Sequence, residues 1–382
     1  MDTKRKKILF LFNRSPFLYE KRNDRHQFQI YSELKDHYET KILTFENDFD
    51  NSSEQIAIKR DNNKYLKVLY FLLKAQSPRL THFRSKKFDY TLSKLLETFK
   101  PDFIYVEHLL MMQYVVDKNL SGKIVFFNDE SNLFIESKKI RGNFYQRLRN
   151  IGLSKFEIVA CNKADYIFNI TKDEKEFLEN VYGYRNTFTI PCGVDTNYFI
   201  FNWEPIKPKS ILFIGDYDHY PNRAAAKILV SKIFPQINRD DVKLILVGRN
   251  THHIHKYSKQ GIQIFTDVND IRKFYMSSLI FVAPIFTGAG MRIKILEAAS
   301  CGIPIVMTSI GNFGINLRNK DEVFIEDTVD CIINRVKYLL NQQGLEKTEK
   351  MRKLARERIV KNFNEKLIKQ HIKDEFKKLD GK

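Results

Sequence analysis

The sequence predicts an α/β protein built from two doubly wound parallel sheets, and three observations carry that prediction. Apolar, β-rich runs recur along the chain, with helix-patterned segments between them. Several runs are continuously apolar, KILFLF and KIVFF among them, as expected for strands buried on both faces of a parallel sheet. The alternation breaks once, over residues 191–209, and resumes with the strand-like ILFIG, which leaves two halves of similar size.

Taken in order, the first half offers strands at Lys7–Phe12, Thr40–Thr44, Phe103–Val106, Ile124–Phe127, Tyr166–Ile170 and Thr187–Ile190. The second offers Ser210–Ile214, Lys243–Val247, Ile262–Thr266, Ile280–Pro284 and Ile303–Met307. Helical patterns fall at His26–Asp36, Tyr90–Thr98, Asn143–Asn162, Asp173–Asn180, Asn222–Phe234 and Met291–Ser300. Residues 46–64 are polar, rich in Asn and Asp, and read as a loop. PCGVDTNYFIFNWEPIKPK carries turn formers and three prolines without a helical period, and reads as a linker. From Lys347 onward the chain is helical and strongly charged. The expected organisation is a first domain over residues 1–190, a linker over 191–209, a second domain over 210–365, and a charged helical tail over 366–382.

Composition supports two cores, since 43% of the 382 residues are hydrophobic and 31 are Phe. No apolar run approaches the ~20 residues of a transmembrane helix. The start, MDTKRKKILFLFNRSPF, has too short an apolar stretch and no small-residue cleavage site for a signal peptide, so it reads as a first strand behind a basic leader. A cytoplasmic protein is expected. Cys161, Cys192, Cys301 and Cys331 lie far apart without a CxxC pair, which argues against a disulfide scaffold and for buried small hydrophobes. The net charge of +18 fits nucleic acid, anionic lipid or a phosphorylated small molecule, or only a Lys-rich coding bias. Nucleic-acid binding ranks last because no recognisable module is present. YLKVLYFLLK at 65–74 reads either as a basic segment at the inner membrane face or as a core-facing helix with snorkelling lysines.

One stretch concentrates chemistry: PIFTGAGMRIKILEAASCGIPIV, residues 284–306. It reads as a strand end, a glycine-broken turn, a helix closed by Gly302, and the next strand. Ligands of such sheets sit at the C-terminal ends of strands. Gly288 and Gly290 permit close backbone approach, and the helix start at Met291 aims its N–H groups at the turn. Arg292 in the first turn opposes the helix dipole, a cost that makes sense where an anion is held. Lys294 and Glu297 share a helix face. Spacing leaves two readings open, an anion cradle or a packed corner bearing a surface ion pair. HHIH at 252–255 reads either as a metal-binding run or as solvent-facing loop histidines.

GAGMRIKILEAASCGIPIVMTSIGNFGI resembles the donor-site signature of family 4 glycosyltransferases, which have the GT-B fold. FIGDYDHYPNRAAAKILVSKIFPQI resembles the first strand and helix of that family's C-terminal domain. VKLILVGRN, GIQIFTDVNDIRKFYMSSLIFVAPI and IPCGVDTNYF also resemble family segments in their expected places. PDFIYVEHL and ADYIFNITKDEKEFL do so more loosely. The resemblance covers most of residues 7–365 and is strongest over 187–316.

It implies two Rossmann-like domains facing a central cleft, a nucleotide-diphosphate sugar held by the C-terminal domain, and an acceptor held by the N-terminal one. It also implies transfer with retention of configuration, no metal and no cofactor. A helix start with Arg and Lys can neutralise the leaving diphosphate as a metal does elsewhere. Glu297 matches the family's second glutamate, which contacts ribose hydroxyls, whereas the first falls at Ala289. The basic pair that family members often carry after the first strands is missing from GDYDHYPNR. Arg292 and Lys294, with Arg223, are expected to supply that charge, beside Gly288, Gly290 and Met291. The usual glycine-rich acceptor loop is replaced by NRSPFLYEKRNDRHQF, in which Arg25 matches the terminal arginine and Asn23 lies nearby. Where members carry a histidine after the strand KIVFF, this chain has Asn128, Asp129 and Glu130. Asp129 and Glu130 are catalytic candidates, with helix capping by Asn128 or Asp129 as the alternative. His108, after FIYVE, is a third. The reading is a glycosyltransferase acting on a glycan, lipid-linked or protein acceptor. The alternatives are a catalytically silent GT-B subunit and a nucleotide-sugar epimerase.

Overall fold

The computed structural model describes residues 5–19, 25–45, 55–59, 80, 83–137, 144–206, 208–237, 239–288 and 290–381. YLKVLYFLLK, Asn23 and Ala289 lie outside the described residues. The chain divides into two units, Met1–Pro191 with Ile368–Lys382, and Cys192–Leu367.

The first unit is a seven-stranded sheet, parallel throughout, in the order β3-β2-β1-β4-β5-β6-β7 among the described residues. Its strands are β1 (Lys7–Phe12), β2 (Glu39–Phe45), β3 (Gln55–Ile58), β4 (Phe103–Glu107), β5 (Lys123–Asn128), β6 (Tyr166–Asn169) and β7 (Thr187–Thr189). The apolar runs of β1, β4 and β5 are almost wholly buried, as strands covered on both faces require. The helices are α1 (Arg25–Leu34), α2 (Lys86–Phe99), α3 (Asn132–Ser137), α4 (Phe144–Lys163) and α5 (Lys172–Tyr182). β3 falls inside the stretch expected as a loop. It is an edge strand of four residues, QIAI, with only Ile58 buried, so its apolar signal is faint.

The second unit is a six-stranded parallel sheet ordered β10-β9-β8-β11-β12-β13. Its strands are β8 (Lys209–Asp216), β9 (Val242–Arg249), β10 (Ile262–Thr266), β11 (Ile280–Ala283), β12 (Ile305–Met307) and β13 (Phe324–Ile325). α6 (Tyr220–Ile228) continues through a π-helical segment, Leu229–Ile233, and is followed by α7 (Arg272–Ser277), α8 (Ile293–Cys301) and α9 (Val329–Leu339). In both sheets the order reverses beside the first strand of the unit, and that topological switch point is where open α/β sheets bind ligands.

Two boundaries differ from the sequence reading. The expected linker folds with the second unit: Arg356 donates to the carbonyls of Thr196 (2.7 Å) and Phe199 (2.7 Å), and the Val194 N–H donates to Phe363 O at 2.8 Å. Trp203 lies under the Arg352 guanidinium, 4.2 Å from it. The charged tail is not a separate element either. The chain ends in α10 (Glu349–Phe363) and α11 (Glu365–Asp380), and α11 buries Phe376 against Phe103, Tyr105 and Phe168 of the first sheet. Its amphipathic spacing of Ile368, Ile372, Phe376 and Leu379 requires such a partner surface. Three cysteines are buried as expected, but Cys331 is exposed in the first turn of α9, where its backbone meets the Thr328 cap.

Candidate functional site

At the switch point of the second unit, β8 ends in Gly215 and Asp216, and β11 runs on into the turn that carries Gly288. The strand ends touch backbone to backbone. A Cβ on Gly248 of β9 would stand 1.8 Å from the Gly215 carbonyl oxygen. A Cβ on Gly215 would meet Asn222 at 2.9 Å and the Lys294 ammonium at 3.0 Å. The glycines thus clear room for two polar side chains to reach the sheet edge from opposite directions. Asn222, in the first turn of α6, donates to Asp216 O at 2.7 Å and accepts from Lys294 Nζ at 2.7 Å.

Lys294 rises from the first turn of α8 with its ammonium 4.6 Å from the centre of the Phe213 ring. Loss of solvation, reinforced by the neighbouring Arg292 charge and only partly offset by Glu297 and Asp216, pushes its pKa down to about 7. Arg292, the residue before α8, donates to Gly290 O at 2.9 Å and lies alongside Gly288, where a Cβ would meet its Nη2 at 3.2 Å. Gly288 and Gly290 have φ of 93° and 81°, left-handed values that favour glycine and turn the chain into the helix. The N-cap residue of α8, Arg292, makes no side-chain cap bond, so among the described residues the helix start at the turn lacks a conventional N-cap. Two cations, an uncapped helix start and a glycine turn therefore converge at one strand end, an arrangement suited to an anion.

The surface ion pair read from i, i+3 spacing is not what forms. Glu297 is 1% exposed and accepts from the Tyr275 hydroxyl at 2.9 Å. Burial, then the Glu297 charge, holds that phenol well above its ordinary pKa. Met291 is buried in the turn. Arg223 Nη1 donates to the carbonyls of Tyr217 and Asp218, both at 2.6 Å, and so braces the turn after β8. Asp216 bonds Arg249 and Asn250 at 2.8 Å each. Burial acts to raise its pKa, but Asn250 and the Arg249 charge outweigh it and hold it low.

In the first unit, Asp129 and Glu130 follow β5 and His108 follows β4, so all three candidates lie at the C-terminal edge of adjacent strands. His108 has a φ of 73° and its Nδ1 accepts from Leu110 N at 3.1 Å, capping a 3₁₀ turn. The capping alternative for Asn128 and Asp129 does not hold. Ser131 Oγ accepts from Phe134 N at 3.2 Å and Glu157 accepts from Leu133 N at 3.0 Å, which caps α3. Asn128 points inward and donates to Glu157 at 2.8 Å. Glu174, whose pKa burial pushes up to about 8, accepts from Ser131 N at 3.3 Å. These two buried glutamates fix the loop that presents Asp129 and Glu130. Of the acceptor-side pair, Arg25 opens α1 as its first residue.

Glu107 escaped sequence reasoning. It is fully buried at the end of β4 and accepts from the Tyr105 hydroxyl at 2.7 Å. Burial, with the charge of Asp129, pushes its pKa up to about 8. The available signal was a lone carboxylate closing the apolar run FIYVE. Asn222 was missed as well, since nothing local in YPNR marks it as the partner of a lysine 72 positions on.

Residues 208–342 match the family model described as glycosyl transferases group 1. The chain is 26% identical over 344 residues to an uncharacterized 44.6 kDa protein in the cps region of Klebsiella pneumoniae, covering 80% of this chain and 83% of that one. Its fold is similar to sucrose-phosphate synthase from Thermosynechococcus elongatus, with a TM-score of 0.74 at 14% identity over 99% of this chain and 100% of that one. It is also similar to HepE from Anabaena, solved with UDP and glucose, with a TM-score of 0.65 at 13% identity over 98% and 100% of the two chains. Residues 208–342, within the second of two parallel Rossmann-like units on the GT-B pattern, therefore form a domain similar to the glycosyl transferases of group 1.

Proposed function

We propose that this enzyme moves a sugar, with retention and without a metal, from a nucleotide-diphosphate sugar to a glycan, lipid-linked or protein acceptor in surface polysaccharide or glycoconjugate synthesis. The observation that carries the reading is the convergence of Lys294, Arg292 and the uncapped start of α8 on the end of β8. When the bond from the anomeric carbon to the diphosphate oxygen breaks, negative charge grows on that oxygen. Prearranged cations and N–H groups stabilise it without reorganising. Glu297, held by Tyr275, is assigned to the ribose hydroxyls. Asp129, Glu130 and His108 are assigned to the acceptor side, to orient the attacking hydroxyl and guide its proton. HepE, solved with UDP and glucose, supports the donor class, and the relative from a cps region supports the setting. Among the described residues no helix is long and apolar enough to cross a membrane.

The direct test incubates the protein with radiolabelled UDP- and GDP-sugars, with and without membranes. One donor is expected to release its nucleoside diphosphate in an enzyme-dependent way. Silence with every donor, together with undetectable nucleotide binding, favours a non-catalytic subunit, and an isomerised free donor favours an epimerase. Within the reading, Arg292→Ala is expected to raise the donor dissociation constant roughly tenfold, the scale of one charge-assisted contact. Unchanged affinity in calorimetry removes Arg292 from the site.

A further inference from the structure

We propose that Asp218, His252 and His253 form a binding site for a transition-metal dication, with Zn²⁺ as the ion their donor chemistry fits. Among the described residues these three offer one ligand atom each within 4.8 Å of one another. His253 Nε2 lies 2.8 Å from Asp218 Oδ1, and the His252 and His253 ring centres are 4.0 Å apart. Zinc takes imidazole nitrogen and carboxylate oxygen at about 2.0–2.2 Å, which sets tetrahedral ligand atoms roughly 3.3–3.6 Å from each other. Small side-chain rotations bring the trio to that spacing. Two imidazoles and one carboxylate favour zinc and its late first-row neighbours over Mg²⁺ and Ca²⁺, which take oxygen-rich sets.

The backbone holds both sides of this group in place. Asp218 sits in the turn after β8, where its N–H donates to Asp216 Oδ1 at 3.1 Å and its carbonyl accepts from Arg223 at 2.6 Å. His252 and His253 lie on a 3₁₀ turn, Thr251–His253, entered through Asn250 at a φ of 55°. Asn250 is itself tied to Asp216 at 2.8 Å. The last histidine of HHIH points elsewhere, with His255 Nε2 at 3.0 Å from Thr251 Oγ1. All three proposed ligands are exposed, so an ion can enter and keep water on its open side.

An ion here joins the turns after two neighbouring strands, β8 and β9. The first of those turns leads directly into α6 and Asn222, the partner of Lys294. The metal therefore acts as a staple on the frame of the donor end and takes no part in the proposed transfer step. The alternative is an ordinary exposed Asp–His hydrogen bond that binds nothing.

The test is calorimetric titration of untagged, chelator-stripped full-length protein with ZnCl₂, alongside thermal unfolding. One ion per chain is expected, with saturation at micromolar Zn²⁺ and a thermal midpoint raised by a few degrees. His253→Ala and Asp218→Asn are each expected to weaken binding roughly tenfold or more, while His255→Ala leaves it unchanged. The proposal is overturned if the His252→Ala/His253→Ala double variant binds Zn²⁺ as tightly as the parent chain. It is overturned equally if no saturation occurs below about 1 mM, where any surface histidine binds. These readouts are independent of donor turnover, so failure here leaves the proposed transfer reaction to its own assay.

Discussion

Lys294→Met is expected to lower donor turnover, as kcat/KM, by roughly 100- to 1,000-fold, the scale seen when one prearranged electrostatic contact is removed from a transition state. The same variant is expected to be as stable as the parent chain or slightly more so. Lysine ordinarily titrates near 10.5, and burial brings Lys294 to about 7. Between those values the unfolded chain binds a proton that the folded chain releases. Stability therefore rises with pH through that window, and at neutral pH the folded state carries the cost of a poorly solvated ammonium. Methionine keeps the stem over Phe213 and removes the charge. A gain on the order of 1 kcal/mol follows, or about 2–4 °C for a unit of this size. Asn222 loses one partner but is only part-buried, so water can replace it. Turnover within threefold of the parent, measured with saturating acceptor, excludes Lys294 from diphosphate stabilisation. A large fall in the thermal midpoint instead makes it a structural residue.

The parts of this fold that were legible in the sequence are those where one local signal decides the outcome. A continuously apolar run such as KILFLF fits only a strand buried on both faces, and β1 spans those six residues. β3 was illegible because an edge strand with one buried residue carries almost no pattern. The GAG turn and its helix were also legible, since glycines at a strand end leave few conformational choices. The environment of the charged residues that follow was not. Helical spacing correctly puts Lys294 and Glu297 on neighbouring positions, but it cannot tell which neighbour each will prefer. The structure sends Lys294 to Asn222 on α6 and Glu297 to Tyr275 on α7. Both partners are distant in sequence, so the choice is made by the packing of helices and not by the helix itself. Glu107 shows the same limit. A terminal carboxylate on a strand reads as solvent-facing until the tertiary structure closes over it and sets Asp129 nearby.

Donor affinity is expected to fall as pH rises from 6.5 to 8.5, because Lys294 crosses its titration within that range. With its pKa near 7 in the free protein, the ammonium is mostly charged at pH 6.5 and mostly neutral at pH 8.5. A diphosphate binds the charged form and stabilises it, so binding at high pH must first take up a proton. If the bound lysine titrates well above this range, the dissociation constant rises roughly 20-fold across it. The diphosphate of an intact nucleotide-sugar is fully ionised throughout, and Arg292 keeps its charge. The comparison with Lys294→Met isolates the contribution of the lysine. That variant is expected to bind weakly with a nearly flat profile. Arg292→Ala supplies a second, opposite signature. Removing the arginine takes away a charge that helps depress Lys294, so the inflection moves to higher pH even though affinity drops. Calorimetry in two buffers of different ionisation enthalpy, repeated at each pH, measures the coupled proton directly. An affinity independent of pH, with no proton taken up at pH 8.5, places the diphosphate away from Lys294.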